Sequence, residues 1–116
     1  MKSSGIGIDI VNIERFIKLP YRTNKSFYKR IFSESEIKYC LKHKNSAQHF
    51  AGKFAIKEAT KKALPVQIHM IEIVTLHKNA KPQIRLQKKI PYDFFVSVSH
   101  DSKMAVAVVI TQKLFR

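Results

Sequence analysis

The sequence predicts an α+β fold, and three observations carry the prediction. Apolar residues alternate with period 2 at the start of the chain and again across its last third, while a 3.6-residue period fills the middle. The 116 residues suffice for one core, so a single domain over residues 1–116 is expected. Apolar residues make up 45% of the chain, which suits a folded protein and not a disordered basic tail. The resulting plan is one strand, a helical middle and two hairpins.

Gly5 to Val11 forms the first strand, with Ile6, Ile8 and Ile10 on one side and Gly5, Gly7, Asp9 and Val11 on the other. Asn12 can cap a short helical turn carrying Ile13, Phe16 and Ile17, which Pro20 stops. A second short helix from Asn24 to Ile31 sets Phe27 and Ile31 four apart. Ser33-Glu34-Ser35-Glu36 then makes a capping box, in which the Ser33 hydroxyl accepts from the Glu36 amide and the Glu36 carboxylate accepts from the Ser33 amide. The helix it starts runs from Glu34 to Leu41, with Ile37 and Leu41 on one face. The most regular helix spans Ser46 to Leu64 and aligns Ala47, Phe50, Ala51, Phe54, Ala55, Ala59 and Ala63 as its buried stripe, before Pro65 ends it. Strands at His69 to Leu76 and Gln83 to Gln87 follow, joined by the polar turn His77 to Pro82. A last pair, Phe94 to His100 and Met104 to Gln112, is joined by Asp101-Ser102-Lys103.

Lys and Arg number 22 against 8 Asp and Glu, a formal net charge of +14, so an anionic partner is expected: nucleic acid, a membrane surface, an acidic protein or a phosphorylated ligand. Of the basic residues 17 are Lys and only 5 Arg, which counts against a surface that reads bases or grips phosphate bidentately. Cys40 is the one cysteine, so no internal disulfide forms, in keeping with a reducing compartment. The N-terminus has no signal-peptide pattern, and the longest apolar run, Met104 to Ile110, is far short of the roughly 20 residues that cross a bilayer. A soluble, cytoplasmic protein is expected.

Two carboxylates contradict their local patterns. Glu58 lies four residues after Phe54 and seven after Ala51, on or beside the buried stripe of the main helix, where an acid needs a cation, a hydrogen-bond network or water. Spacing alone favours an exposed flank with Lys61 or Lys62 as neighbour. Asp9 stands in an otherwise apolar strand whose own face carries only Gly5 and Gly7 upstream, leaving bare backbone that another element can approach. Capping of the following turn is an equal alternative for Asp9. Converging from strand and helix, the two acids make a plausible site for Mg²⁺, which takes one or two protein carboxylates and fills its octahedron with water and phosphate oxygens. Lys53, Lys57, Lys61 and Lys62 share the Glu58 helix and suit the phosphate. His100 ends its strand, where a histidine usually bonds a turn, here Asp101. The five histidines and one cysteine lack zinc-site spacing, and no Walker A, GxGxxG or GxSxG motif is present.

Taken in order, GIGIDIVNIERF, RIFSESEI, FAGKFAIKEATKKAL, AKP before a strand, and VSVSHD before a final apolar strand resemble the holo-acyl-carrier-protein synthases, the short bacterial members of the 4′-phosphopantetheinyl transferase superfamily. The resemblance implies a small antiparallel sheet packed on a long helix, and a homotrimer with active sites between protomers. It implies transfer of the 4′-phosphopantetheine arm of coenzyme A to a serine of apo-acyl carrier protein, releasing adenosine 3′,5′-bisphosphate, a step that supports fatty acid biosynthesis. By the same resemblance Asp9 and Glu58 bind Mg²⁺, and Lys53, Lys62 and His100 meet coenzyme A. Glu58 and Lys62 are the catalytic pair, and Arg15 meets the acidic carrier protein. The serine proton is left to Glu58 or to a metal-bound water. The chain departs from the family pattern in having Leu64-Pro65-Val66-Gln67 where a Gly-rich stretch is usual, Ala80-Lys81-Pro82 where Gly-Lys-Pro is usual, and Ser26 where Arg is frequent. Rival expectations are a small basic RNA-binding domain, suggested by Phe27, Tyr28, Lys29 and Arg30, and an inactive coenzyme A-binding relative.

Overall fold

Two glycines decide how the first strand meets the long helix. The strand β1 (Ser4–Asn12) crosses the helix of Ser46–Ala63 so closely that a Cβ on Gly7 would fall 2.0 Å from the Ala59 carbonyl oxygen, and one on Gly5 1.9 Å from that of Ala63. Any side chain at these positions would separate strand from helix. The structure, a computed structural model, describes residues 3–114, so Met1, Lys2, Phe115 and Arg116 of the expected 1–116 domain lie outside the description.

After β1 come three short helices, α1 (Glu14–Ile17), α2 (Lys25–Ile31) and α3 (Glu34–Leu41), and then the long α4 (Ser46–Ala63). Asn12 accepts from the Glu14 amide at 3.0 Å, and Pro20 leads into a 3₁₀ turn at Tyr21–Thr23. The capping box forms as expected, with Ser33 Oγ 3.3 Å from the Glu36 amide and Glu36 Oε1 2.8 Å from the Ser33 amide. Four strands follow: β2 (Ile73–Lys78), β3 (Lys81–Leu86), β4 (Tyr92–His100) and β5 (Met104–Lys113). All pairings are antiparallel, in a three-stranded sheet of order β1-β5-β4 and a two-stranded sheet of β2 and β3.

The plan is therefore α+β, with corrections in detail. The first strand of the β2-β3 hairpin starts at Ile73 and not at His69, because Met70–Glu72 is a 3₁₀ turn in which Glu72 accepts from the His69 amide at 3.0 Å. The connection is also tighter than the expected span His77 to Pro82. Both of those residues are in strands, and the turn is only Asn79-Ala80, at φ 52° and 64°.

Glycine and alanine seat one face of α4 on the sheet, against Ala105, Ala107 and Val109. On another side Phe50 and Phe54 join Phe16, Tyr28 and Phe32 in a nearly dry aromatic core, where Tyr28 and Phe50 rings lie 4.6 Å apart. Full burial of each such ring stabilises the fold by on the order of 2 kcal/mol. The expected stripe is thus too narrow: Lys53, Ile56, Lys57 and Thr60 are buried as well, because α3 and β2 cover a third side. Tyr28 is 1% exposed and Phe27 half-buried, so the Phe27–Arg30 segment offers no stacking platform for RNA bases. Among the described residues, no helix is long and apolar enough to cross a membrane.

Candidate active site

The close β1–α4 crossing that begins at Gly5 and Ala63 leads to Asp9. Two strand residues advance about as far as four helix residues, so Gly5 opposite Ala63 and Gly7 opposite Ala59 place Asp9 one turn further back on α4. Glu58 lies one turn before Lys62, the residue of α4 that reaches Asp9. Asp9 is half-buried, and the Lys62 ammonium lies 3.3 Å from its Oδ1 while donating to the Ile8 carbonyl oxygen at 2.9 Å. Glu58 is partly open and has Lys61 at 3.9 Å, one turn on. Spacing had favoured that flank and that lysine, and α4 provides both. Only Glu58, Lys61 and Lys62 stay open on the C-terminal half of α4, so its sole carboxylate comes to the surface together with two lysines.

Two carboxylates from a strand and a helix, with no third protein ligand, suit a hard divalent cation that completes its shell with water and substrate oxygens. Among the described residues no three His, Cys, Asp or Glu side chains cluster as a metal cage. A closed all-protein site is therefore not what these residues build. Two grooves, of about 860 and 790 Å³, lie beside α1 and between β3 and β4, and neither is lined by Asp9 or Glu58. Within one chain Glu58 is partly open, Asp9 is mostly covered, and neither lines these two grooves.

The remaining candidates separate. His100 is exposed at the end of β4, and its Nδ1 lies 2.7 Å from the Gln48 amide nitrogen at the start of α4. The expected partner, Asp101, instead accepts from the Lys103 and Met104 amides at 2.7 and 2.8 Å, which holds its carboxyl below the usual range. Arg15 is exposed and lays its guanidinium 4.7 Å from the centre of the Phe54 ring. Lys53 requires a correction as a coenzyme A contact. It is 4% exposed, donates to Thr75 Oγ1 at 2.8 Å and sits over the Tyr39 ring, so its ammonium is turned inward.

Sequence reasoning missed what surrounds Lys53. The Glu36 and Lys57 side chains are 0% exposed and paired at 2.7 Å. Lys57 also donates to the Ile31 and Met70 carbonyl oxygens at 2.7 and 3.2 Å, and Glu36 Oε2 accepts from the Thr75 amide and hydroxyl at 2.8 and 2.5 Å. Burial alone would raise the Glu36 carboxyl, but Lys57, Thr75 and Ser33 outweigh it and hold the group below its ordinary value. The signal was present. Lys57 follows Phe50 and Phe54 at i+7 and i+3, in line with two buried rings.

The scaffold, a long helix packed on an antiparallel sheet, is that of a transferase family. The chain belongs to the 4′-phosphopantetheinyl transferase superfamily, whose family model matches residues 5–109. It is 40% identical to the holo-[acyl-carrier-protein] synthase of Geotalea daltonii, over 94% of this chain and 98% of that protein. Among solved structures, the Helicobacter pylori holo-[acyl-carrier-protein] synthase in complex with coenzyme A superposes with a TM-score of 0.80 at 38% identity, covering 92% of this chain and 99% of that one. The Bacillus anthracis synthase complex gives 0.81 at 28% identity, covering 94% and 96%.

Proposed function

We propose that this chain transfers the 4′-phosphopantetheine group of coenzyme A to a serine of apo-acyl carrier protein, with Mg²⁺, releasing adenosine 3′,5′-bisphosphate. The cytoplasmic supply of carrier protein for fatty acid biosynthesis is the role that goes with it. The observation that carries the reading is the Asp9, Lys62 and Glu58 constellation at the β1–α4 crossing, in a chain of this superfamily. Relatives are named for the same activity, and related structures contain coenzyme A.

Asp9 and Glu58 would hold Mg²⁺, whose chemistry is to draw the pyrophosphate oxygens of coenzyme A and offset the charge that builds on them in transfer. Lys62, half exposed and already within reach of Asp9, is placed to meet a phosphoryl oxygen, with His100 and Gln48 as a polar pair at the opposite, N-terminal end of α4. Glu58 is open enough to take the serine proton. Arg15 stands exposed on the short helix after β1, where an acidic carrier protein can meet it.

The partly open Glu58 supports a site completed by a second protomer, and the uncovered face of the three-stranded sheet supports the trimer. Ile6, Ile8 and Ile10 are 60–68% exposed there, beside Ile110 and Phe95. Mass spectrometry of apo-acyl carrier protein incubated with the protein, coenzyme A and Mg²⁺ tests the activity, with the pantetheine increment as the expected result. No increment where a control transferase gives one overturns it. Glu58→Gln is expected to abolish transfer with the fold retained. Calorimetric titration with coenzyme A then separates an inactive binding relative from a protein without this ligand.

A further inference from the structure

The sheet side of α4 is smooth apart from its last residue, where Thr111 Oγ1 donates to the Ala63 carbonyl oxygen at 2.8 Å. Glycine backbone against alanine has no side chains to interlock, so this contact alone sets how near the helix lies but only weakly how far it is rotated or slid. On the other side of the helix stands Lys57. Its ammonium is bound by the ends of three separate elements: the Ile31 carbonyl oxygen closing α2, the Glu36 carboxylate in the first turn of α3, and the Met70 carbonyl oxygen in the turn before β2. Glu36 is held in turn by the Ser33 amide and by the Thr75 amide and hydroxyl, so both charged groups are fully partnered and dry. A buried ion pair is weak evidence for stability, since apolar side chains of like volume often do as well. It is better suited to fixing one arrangement among several.

Successive residues on a helix point about 100° apart. With Lys57 fixed toward α3 and Ala59 fixed on Gly7, the Glu58 side chain between them has one direction, the open flank beside β1. We infer that the buried Glu36–Lys57 pair is a positioning device for Glu58, setting the rotation and register of α4 so that the Glu58 carboxylate faces Asp9. The inference rests on the reading that these two acids share a divalent cation. Lys57 and Glu36 touch neither substrate nor metal; they act through the helix.

The test measures metal binding and not only turnover. Mn²⁺ titration followed by electron paramagnetic resonance, in the presence of coenzyme A, reads the two-carboxylate site directly. Lys57→Met is expected to weaken Mn²⁺ binding about tenfold, the lower end of what loss of an outer-shell partner costs. The variant should still melt cooperatively above the assay temperature. Thr75→Val, which removes one hydroxyl from both Glu36 and Lys53 and leaves the Glu36 and Lys57 charges, should shift binding in the same sense by a smaller factor and serves where Lys57→Met does not fold. A drop in melting temperature with wild-type Mn²⁺ affinity, in whichever variant folds, would make the pair merely structural and overturn the inference. Glu58→Gln, measured alongside, separates the two levels: if it keeps wild-type Mn²⁺ binding, the shared-cation reading fails and this inference with it. If it loses the metal while Lys57→Met and Thr75→Val keep it, only the positioning role fails.

Discussion

Ala80 occupies a position that favours glycine. At φ 64° its Cβ crowds the backbone, and with Asn79 at φ 52° it makes the two-residue turn that closes the β2-β3 hairpin. Ala80→Gly should therefore stabilise the protein by about 1 kcal/mol, seen as a higher urea midpoint. No change would mean that the strain is absorbed elsewhere in the turn. Gly7 presents the opposite case, because its Cβ would meet the backbone of Ala59, which cannot step aside as a side chain can. Gly7→Ala should cost at least about 3 kcal/mol, at or beyond the usual upper range for overpacking. The same change would move Asp9, two residues on, away from α4. Cys40 is a quieter residue: burial pushes its thiol up to about 12 against the opposing pull of Lys53 and Lys57, so it behaves as a small core side chain and not as a nucleophile.

At the scale of elements, what the sequence made legible was whatever depends on local period and caps. The alternation of Gly5 to Val11, the Ser33/Glu36 box and the limits of α4 needed only neighbours along the chain, and each formed close to expectation. Asp9 and Glu58 were legible because an acid in an apolar pattern is conspicuous. Lys53 was not, and Lys57 was only by its alignment with Phe50 and Phe54, since a lysine on a helix is ordinarily solvated and the partners that bury these two, Glu36 and Thr75, come from distant segments. The corner where α3, α4 and β2 meet was equally hidden. There the His43 and His49 rings stack at 3.8 Å, and Tyr39 stacks on His77 at 4.4 Å, with the Lys53 ammonium beneath Tyr39. Burial, and then repulsion from His43, His100, His77 and Lys53, lowers His49 from 6.5 to about 4. The unfolded chain therefore binds the proton that the folded corner refuses. Stability from this group is complete above pH 6.5 and is lost as the pH falls toward about 4. Thermal melts at pH 7.5 and 4.5 should differ more for the wild type than for His49→Gln; equal differences would remove His49 from the acid response. Glu36 and Asp101, both held below their ordinary values, shift stability in the same sense at lower pH, which is why the variant and not the wild-type curve decides.

At the scale of the whole molecule, one face is left uncovered among the described residues. Ile6 pairs with Ile110, Ile8 with Val108 and Ile10 with Val106, and Phe95 lies beyond Ile110, so one surface of the β1-β5-β4 sheet is a continuous apolar field. Scattered exposed isoleucines need no explanation, but a row of three on one strand backed by apolar partners does. Meanwhile the +14 charge keeps the rest of the surface strongly basic, suited to phosphates and to an acidic carrier protein and repulsive toward further copies of itself. The proposed trimer contact would therefore use the apolar face. Ile8 is 61% exposed, so Ile8→Asp should leave the subunit's own core intact. In sedimentation equilibrium the wild type is expected as a trimer and Ile8→Asp as a folded monomer. If the acids at the β1–α4 crossing need a second protomer to close around coenzyme A, the monomer should lose at least about a hundredfold in kcat/KM, or about 2.7 kcal/mol of transition-state stabilisation. Full activity in the monomer would mean that the open site is sufficient alone, and a wild type that sediments as a monomer would leave the apolar face to some other occupant.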